Sequence, residues 1–387
     1  MDNLKLRFML SRLFKIQDAE TESVFFFGAR QTGKTTLLKN LFPNTRYYDL
    51  LKSDEFERLS RKPSLLREEL INIPSDELII IDEIQKLPIL LDEVHWLITN
   101  CGLRFILTGS SARKLRRGGV NLLGGRALQN NFYPLVSTEI PDFDLDRAVN
   151  NGMIPRHYLI QNATKRIRGY VGNYLQSEIM EEARVRNLAV FNRFLEAAAL
   201  TSGEMLVFSN VAADCGVSSV TAKAYFEILE DTLFGYTVPA YTKTKKRKLI
   251  QAPKFYLFDV GVTNYLLHRS HLQQGSPEYG HAFEHLVIQE LIAYLGYQQR
   301  EEEIRYWRTS SGLEIDVVLG DAKVGIEIKS TKELRNNQLK GLRSFGKDYP
   351  EARLIAVTLD KYRRLVDNIE IIPVLEFFAD LWSGKIY

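Results

Sequence analysis

The chain has 387 residues, of which 45% are hydrophobic and 26% charged, and its formal net charge is +3. This composition excludes a collagen-like, low-complexity or wholly disordered chain, and the length predicts about two or three domains. Because the charge excess is small, an anionic partner must be bound by a local basic patch.

The cysteine content and the apolar runs point to the compartment. Cys101 and Cys215 lie far apart in the sequence, which predicts reduced thiols rather than a disulfide framework. No apolar run reaches the ~18 residues needed to span a bilayer. The first seven residues are of mixed charge, and no signal-peptide core follows them. We therefore expect a cytoplasmic protein without membrane contact.

The first third of the chain alternates apolar runs with segments of helical spacing, which is typical of a parallel α/β sheet. The predicted strands are 23–27, 46–50, 78–81, 104–107 and 129–132. The predicted helices between them include 34–41 and 88–100.

Beyond about residue 152 the pattern changes twice. The middle is mostly helical, with helical spacing over 165–182 and 189–201. A third part then begins with a helix and continues with short strands and one further helical stretch: 281–295, 304–307, 314–319, 324–329, 336–344 and 352–359. The predicted domains are 1–150, 151–272 and 273–387.

A phosphate-binding loop is predicted after the first strand. The segment that starts at Gly28, Gly-Ala-Arg-Gln-Thr-Gly-Lys-Thr, fits G-x-x-x-x-G-K-[ST]. Gly28 and Gly33 allow a turn whose N–H groups face phosphate oxygens at a helix N-terminus. We expect Lys34 to reach the β- and γ-phosphates of ATP, Thr35 to ligate Mg²⁺, and Thr36 to join the nucleotide contacts. The alternative is an ordinary glycine-containing turn.

Polar residues follow two neighbouring strands. Asp82 and Glu83 end the apolar strand near 78–81, and we expect Asp82 to hold Mg²⁺ and Glu83 to polarise the attacking water. Ser110 follows the next strand and is expected to contact the γ-phosphate and the water. A plain turn is an equally supported alternative for this serine.

Arg126 follows Gly124 and Gly125. An arginine held in this way can neutralise transition-state charge, within one subunit or across a subunit interface. A surface role is the alternative, and three nearby arginines compete for the catalytic role: Arg113, Arg116 and Arg117.

A helix-turn-helix is predicted over 208–229. Val211 and Ala212 lie inside a short first helix, Gly216 forms the turn, and Ser218 caps a second helix that can enter a major groove. The expected apolar face of the second helix is Val220, Ala224, Ile228 and Leu229.

A basic segment lies between the apolar runs 234–238 and 255–258. It reads Lys-Thr-Lys-Lys-Arg-Lys from residue 243, with five basic residues in six. We interpret the module as a winged helix whose cationic hairpin contacts DNA phosphates without sequence preference. The expected DNA-binding residues are Lys223, Lys245, Lys246, Arg247 and Lys248. The alternative is a module that only packs against the ATPase, with a solvated hairpin tip.

Acidic residues and a lysine recur in the third part. Glu327 and Lys329 lie two apart on a predicted strand and therefore face the same side. Asp316 ends the preceding strand, and Glu284 lies on the helix before it. Asp316 and Glu327 suit Mg²⁺ or Mn²⁺, Lys329 can orient water or stabilise charge, and Glu284 can support the metal. This spacing predicts a phosphodiesterase site.

A zinc site competes for the same helix. His281, Glu284 and His285 match H-x-x-E-H, the inverted zinc-protease pattern. Because Glu284 is already assigned to the phosphodiesterase site, we favour two surface histidines over zinc hydrolysis.

Together these residues resemble the prokaryotic AAA-type ATPases that carry a C-terminal domain of unknown function, itself similar to PD-(D/E)xK nucleases. The resemblance covers nearly the whole chain. It implies a parallel-sheet AAA-type P-loop ATPase domain, a winged helix-turn-helix domain and an α/β restriction-endonuclease-like domain. It also implies a homo-oligomer, ring-like in form, and leaves open whether the last domain cleaves DNA.

We therefore expect an oligomeric ATPase that binds DNA and remodels, translocates or cleaves it. The alternative is a nucleotide-dependent switch or scaffold in defence or stress signalling, with an inert nuclease-like domain. An ATP-dependent chaperone or a zinc peptidase is a third, weaker hypothesis.

Overall fold

The computed structural model of this chain describes residues 10–110, 113, 115, 123–160, 163–172, 188–243 and 249–387. These residues fall into two compact units. The first unit comprises residues 10–134 together with Asp231–Leu233, and the second comprises Leu135–Glu230 and Phe234–Tyr387.

The first unit is a parallel α/β sheet with helices in its connections. Its elements in chain order are β1 (Ser23–Phe27), α1 (Lys34–Leu41), β2 (Arg46–Asp49), α2 (Ser53–Arg61), α3 (Leu65–Leu70), β3 (Leu78–Asp82), α4 (Leu90–Cys101), β4 (Arg104–Gly109) and β5 (Ala127–Asn131). The strand order is β2-β3-β4-β1-β5, and every pair is parallel. The predicted parallel sheet is confirmed.

Helices α2 and α3 lie in a stretch to which the sequence pattern assigns no element. Helix α2 has nine residues, and Phe56 and Leu59 are its only apolar side chains, so its apolar face is too short to form an extended periodic pattern in the sequence. The other strands and helices of this unit agree with the predicted spans to within a few residues.

The register of the sheet brings three strand ends together. Phe27 at the end of β1 pairs with Gly109 at the end of β4, and Ile81 in β3 pairs with Leu107 in β4. In a parallel sheet the carboxyl ends of neighbouring strands share one edge, where ligands bind. The segments that follow β1, β3 and β4 therefore converge.

The second unit begins with helices and ends with a mixed sheet. Its helices are α5 (Leu145–Asn151), α6 (Pro155–Tyr158), α7 (Ala163–Tyr170), α8 (Leu188–Leu200), α9 (Phe208–Cys215), α10 (Ser219–Asp231), α11 (Val260–Leu266), α12 (Pro277–Tyr297), α13 (Lys340–Asp348) and α14 (Val374–Trp382). Its strands are β6 (Gly235–Val238), β7 (Lys254–Leu257), β8 (Arg305–Arg308), β9 (Glu314–Leu319), β10 (Val324–Lys329), β11 (Arg353–Thr358), β12 (Arg364–Val366) and β13 (Ile369–Pro373).

The described residues of this unit form two sheets. Strands β6 and β7 form an antiparallel pair. The larger sheet has the order β12-β13-β11-β10-β9-β8. In it β8, β9 and β10 are antiparallel neighbours, whereas β10, β11 and β13 run parallel. Helix α13 packs on it through Leu342 and Phe345, and the Phe345 ring meets Trp307 edge to face. The predicted α/β character of the third part is confirmed.

Helices α9 and α10 occupy the predicted helix-turn-helix segment, but the apolar face of α10 differs from the predicted one. Gly216 takes a left-handed conformation between them, and Ser218 accepts a hydrogen bond from the Thr221 N–H at 3.1 Å, as a cap does. Val220, however, is 80% exposed rather than part of the apolar face. Because α10 buries Ala222 and Phe226, four residues apart, position 220 points to the opposite side of the helix.

Several predicted positions lie outside the described residues. They include Lys245, Lys246, Arg247 and Lys248 of the basic segment, Arg116 and Arg117, and the predicted helix beyond residue 172. Both cysteines are free thiols. Within the described ranges, no helix combines the length and apolar character that crossing a bilayer requires.

Candidate functional site

The loop after β1 turns on two glycines. The Gly28 N–H donates to the Gly109 carbonyl at 3.3 Å, and a Cβ at position 28 would lie 2.4 Å from the Phe132 carbonyl oxygen. Gly33 has φ +103° at the start of α1, a left-handed conformation that favours glycine. Both glycines of the predicted motif are therefore required by the backbone.

Lys34 crosses the inside of this loop. Its buried Nζ donates to the Gly28 carbonyl at 2.5 Å and to the Ala29 carbonyl at 3.2 Å. Helix α1 begins at Lys34, so its first N–H groups, which lack acceptors within the helix, open on the same loop. Thr36 is exposed on the first turn. The loop, the ammonium and the helix end together form a cradle for phosphate.

Asp82 is surrounded by hydroxyl groups. Thr35 Oγ1 donates to Asp82 Oδ2 at 2.9 Å, the Tyr47 hydroxyl donates to the same oxygen, and the Thr108 hydroxyl donates to Oδ1. Burial and then the negative charge of Asp82 raise the pKa of Tyr47. Sequence reasoning gave neither Tyr47 nor Thr108 a role. Tyr47 belongs to no recognisable motif, and Thr108 lies in the predicted strand region just before Ser110, which was the expected functional residue there.

Glu83 and Ser110 are linked by a residue that sequence reasoning also missed. Glu83 has φ +61°, and its N–H donates to Thr108 Oγ1 at 3.1 Å. The buried Gln85 side-chain amide donates to the Glu83 carboxylate and, at 3.3 Å, to Ser110 Oγ. The structure thus brings together the two residues that we expect to handle the attacking water.

Arg12 is hydrogen-bonded to the phosphate-binding loop and to the segment after β5. Its guanidinium donates to the Thr32 carbonyl at 2.6 Å and to the Tyr133 carbonyl at 2.9 Å, and it lies 4.0 Å from the centre of the Phe132 ring. Arg12 lies far from these partners in sequence, so no local pattern identifies it.

Arg126 forms no hydrogen bond or ion pair with the phosphate-binding loop among the described residues. It is exposed, directly before β5, after Gly124 and Gly125 in left-handed conformations. Its competitor Arg113 forms an ion pair with Asp231.

The predicted acidic residues of the second unit meet at one place. Lys329 Nζ lies 2.6 Å from Glu327 Oε1 and 3.8 Å from Asp316 Oδ2, and the Ile328 N–H donates to Asp316 at 2.7 Å. Glu327 and Lys329 share one face of β10, as predicted. Asp316, however, is the third residue of β9 and not its last, because β9 continues in register with β10 to Leu319.

Strand β7 extends this acid–lysine cluster. The Lys254 side chain is 5% exposed, and its Nζ lies 2.6 Å from Glu314 Oε1 and 3.6 Å from Glu284 Oε1. The Tyr256 hydroxyl donates to Glu284 at 2.7 Å, and Arg308 pairs with Glu314 at 2.7 Å. In the sequence Lys254 directly precedes the apolar run 255–258, but its position there does not indicate which acidic residues it meets.

Burial dominates the electrostatics of the cluster. Burial and then the Asp316 charge raise the pKa of Glu284 to about 7 and that of Glu327 to about 8. Burial alone would lower the pKa of Lys254 and Lys329, but the surrounding carboxylates raise both values overall. The carboxylates therefore keep the two ammonium groups charged, while burial favours the protonated forms of Glu284 and Glu327.

The prediction that His281 and His285 are both surface histidines is wrong for His285. His281 is exposed, but His285 is buried, with Nε2 2.6 Å from the Leu257 carbonyl oxygen, and burial lowers its pKa to about 4. His285 is therefore not a surface histidine. In the part of the chain that the structure describes, no group of three or more His, Cys, Asp or Glu is arranged to hold a metal ion.

The oxygen atoms of the two sites differ in how well they suit the expected ions. In the first site the Thr35 hydroxyl and the Asp82 carboxylate are oxygen ligands of the kind that Mg²⁺ takes. The Lys34 ammonium and the loop around it suit the phosphates of the nucleotide. In the acid–lysine cluster Glu327 Oε2 is buried and has no hydrogen-bond partner among the described residues. A carboxylate oxygen in that state fits either a cation or a proton.

Three segments of the chain match sequence-family models. Residues 20–140 match an AAA domain, residues 142–273 a domain of unknown function (DUF8612), and residues 279–377 a second domain of unknown function (DUF4143). Each match covers less than half of the chain. The comparison with curated proteins found no match.

Two solved structures that resemble the chain do so at low sequence identity. The ORC1 protein of Aeropyrum pernix, in complex with DNA, is 12% identical with a TM-score of 0.26, and the match covers 64% of this chain and 86% of that chain. A Signal Transduction ATPase with Numerous Domains (STAND) protein with a tetratricopeptide repeat sensor, from Pyrococcus horikoshii, is 14% identical with a TM-score of 0.20. That match covers 73% of this chain and 50% of the other.

Such TM-scores support no conclusion about this chain. The AAA-domain match, in contrast, spans the loop at Gly28, the strand that ends at Asp82 and the five-stranded parallel sheet. Residues 20–140 are therefore an AAA-type P-loop ATPase domain.

Proposed function

We propose that this protein is an ATP-hydrolysing AAA-type protein that binds DNA and remodels, translocates or cleaves it. The ATPase part follows from the AAA domain and its loop. The observation that carries the DNA-cleaving part is the acid–lysine cluster, in which Glu327 Oε2 is buried without a partner among the described residues.

In the proposed ATPase site, this chain's residues bind and orient. Lys34 leaves the loop carbonyls for the phosphates. Thr35 and Asp82 would hold Mg²⁺, and the ion would supply positive charge to offset that of the phosphates. Glu83 accepts a proton from the attacking water, and Ser110 positions that water. Arg126 acts on the transition-state charge from a neighbouring copy in a homo-oligomer.

The proposed DNA contacts lie in the middle segment. Lys223 is exposed on α10 and only loosely paired with Glu227, at 3.9 Å, so it is available to a phosphate. The basic run 245–248 adds four cations to the same module. Binding through these groups weakens steeply as salt rises.

In the proposed nuclease site Asp316 and Glu327 would hold Mg²⁺ or Mn²⁺, Glu284 would support them, and Lys329 would orient the water. A bound cation would lower the pKa of that water. The three domains of this proposal are 1–150, 151–272 and 273–387.

One observation favours a second function, a nucleotide-dependent switch with an inert C-terminal domain. The carboxylates of the cluster already have protein partners: Lys254 lies between Glu284 and Glu314, and Lys329 lies close to Glu327. Cations of the protein thereby supply charge that a metal would otherwise supply.

A cleavage assay separates the two functions. Plasmid and linear DNA are incubated with Mg²⁺ or Mn²⁺, with and without ATP, and ATP turnover is measured in the same reactions. We expect wild-type cleavage and a loss of at least ~10²-fold in Asp316→Ala, because a metal ligand is removed. ATP turnover is expected to stay within about twofold, since Asp316 lies outside the ATPase domain.

Cleavage that persists in Asp316→Ala would place the activity elsewhere. Absence of cleavage by the wild-type protein, with ATP turnover intact, would favour the switch. Loss of ATP turnover in Lys34→Ala serves as the control for the ATPase site.

A further inference from the structure

Tyr47 is placed to act on the Mg²⁺ site, although it lies outside every motif. It is the second residue of β2, the strand next to β3, and its register partner there is Ile80. From this position its hydroxyl reaches past the pairing residue to Asp82 Oδ2. The Lys39 ammonium lies 5.2 Å from the centre of its ring.

The hydrogen bonds of Asp82 show what the tyrosine does. A carboxylate has about four acceptor positions. Among the contacts of the described residues, Thr35 and Tyr47 take those of Oδ2, and Thr108 takes one of Oδ1. About one position, on Oδ1, is then left for a further donor such as a metal-bound water. The three hydroxyls together fix both the plane and the rotation of the carboxylate.

We propose that Tyr47 is a positioning residue for Asp82: its hydroxyl holds the carboxylate in the orientation that receives the Mg²⁺ bound with the nucleotide. This inference rests on the ATPase part of the proposed function. It assigns Tyr47 no contact with the nucleotide itself, so its effect is confined to the part of the binding that Mg²⁺ contributes.

The neighbouring residue offers a matched control. The Tyr48 hydroxyl also donates to a carboxylate, Glu69 Oε2, at 3.1 Å, and Tyr48 is buried. Tyr48 points to the other face of β2, away from Asp82. Tyr48→Phe therefore removes the same kind of bond from the same strand without touching the Mg²⁺ site.

The experiment measures the dissociation constant of a fluorescent ADP analogue on the full chain, in EDTA and over a Mg²⁺ titration. We expect Tyr47→Phe to bind as the wild type does in EDTA, within about twofold, and to lose about tenfold of the affinity that Mg²⁺ adds, since a hydrogen bond to a charged group is lost. Tyr48→Phe should keep the full Mg²⁺ effect.

A double variant tests whether Tyr47 acts on Mg²⁺ binding through Asp82. Asp82→Asn should lose the Mg²⁺ effect, and adding Tyr47→Phe to it should cost nothing more. Circular dichroism checks the fold, and Tyr47→Met, which also lacks the hydroxyl, replaces Tyr47→Phe if that variant does not fold.

Three outcomes overturn specific statements. An unchanged Mg²⁺ effect in Tyr47→Phe, or a further loss in the double variant, would overturn the role of Tyr47. Wild-type binding that does not respond to Mg²⁺ would do the same. A wild-type protein that binds no nucleotide would instead overturn the ATPase function.

Discussion

His157 is a fully buried histidine with neither ring nitrogen hydrogen-bonded among the described residues. Its ring meets Tyr170 edge to face, with centroids 5.4 Å apart. Burial, and then the positive charge of Arg166, lower its pKa from 6.5 to about 4. The folded protein therefore holds this side chain neutral.

This buried histidine predicts acid sensitivity. The unfolded chain binds a proton at His157 below about pH 6.5, and the folded chain only near pH 4, so stability falls as pH drops across that window. The full effect of this one group is about 3 kcal/mol. In His157→Phe, which keeps an aromatic contact with Tyr170, the fall should be smaller by that amount.

Urea unfolding between pH 4 and 7.5 measures this difference. The control His281→Phe changes an exposed histidine and should leave the pH dependence as in the wild type. Equal slopes for His157→Phe and the wild type would show that His157 is not the sensitive group.

At the scale of elements, β7 carries charge into an apolar interior. Lys254 begins this strand, and the strand is buried along its whole length. Two residues on, Tyr256 faces the same side and binds Glu284. The strand is therefore tied to α12 and β9 by ion pairs and a hydrogen bond as well as by packing.

Removing the lysine should be costly. Lys254→Met removes the buried ammonium that pairs with the partly buried Glu284 and Glu314, of which, among the described residues, only Glu314 keeps a second cation, Arg308. Losing one partner of a buried pair costs up to about 3–5 kcal/mol of unfolding free energy. Adding Glu314→Gln should recover part of that loss. Urea unfolding at pH 7 measures both variants.

An exposed pair provides the comparison for this strand. Arg343 and Asp367 lie 3.0 Å apart near the surface, and Arg343→Met should cost less than about 1 kcal/mol. If Lys254→Met costs no more than Arg343→Met, the cluster does not stabilise the fold.

At the scale of the whole molecule, the chain is a succession of segments that match different sequence families. An AAA domain comes first, and two domains of unknown function follow it. The exposed Arg126 belongs to the ATPase domain, but among the described residues no hydrogen bond or ion pair joins it to the phosphate-binding loop. In the proposed homo-oligomer, Arg126 would act at the phosphate-binding loop of a second copy of the chain.

Mixing variants tests this arrangement. Arg126→Ala alone should lower ATP turnover by ~10³-fold or more, as loss of an arginine finger does. Lys34→Ala also loses turnover but keeps Arg126, so mixing the two proteins should restore part of it. An Arg126→Ala protein with normal turnover would remove this arginine from the site, and an inactive mixture would place it within one subunit.

Local sequence determined the framework of this protein. Glycines and a lysine at fixed spacing specify the phosphate-binding loop, because that backbone tolerates few other residues. Short apolar runs predicted β1, β9 and β10 with their observed bounds, because alternating or continuous burial leaves a direct pattern. The pairing of Glu327 with Lys329 followed from the period of a strand.

Only the tertiary structure decided the partners of those residues. Tyr47 lies 35 positions from Asp82, and Arg12 lies 121 positions from Tyr133, so neither contact leaves a local pattern. Lys254 joined the acid–lysine cluster, and His285 became buried, through the packing of β7 against α12. Val220 was predicted to lie on the apolar face of α10 but is exposed, because the neighbours against which α10 packs decide which of its faces is buried. A sequence shows which side chains can pair, but the register and packing of distant elements select the pairs that form.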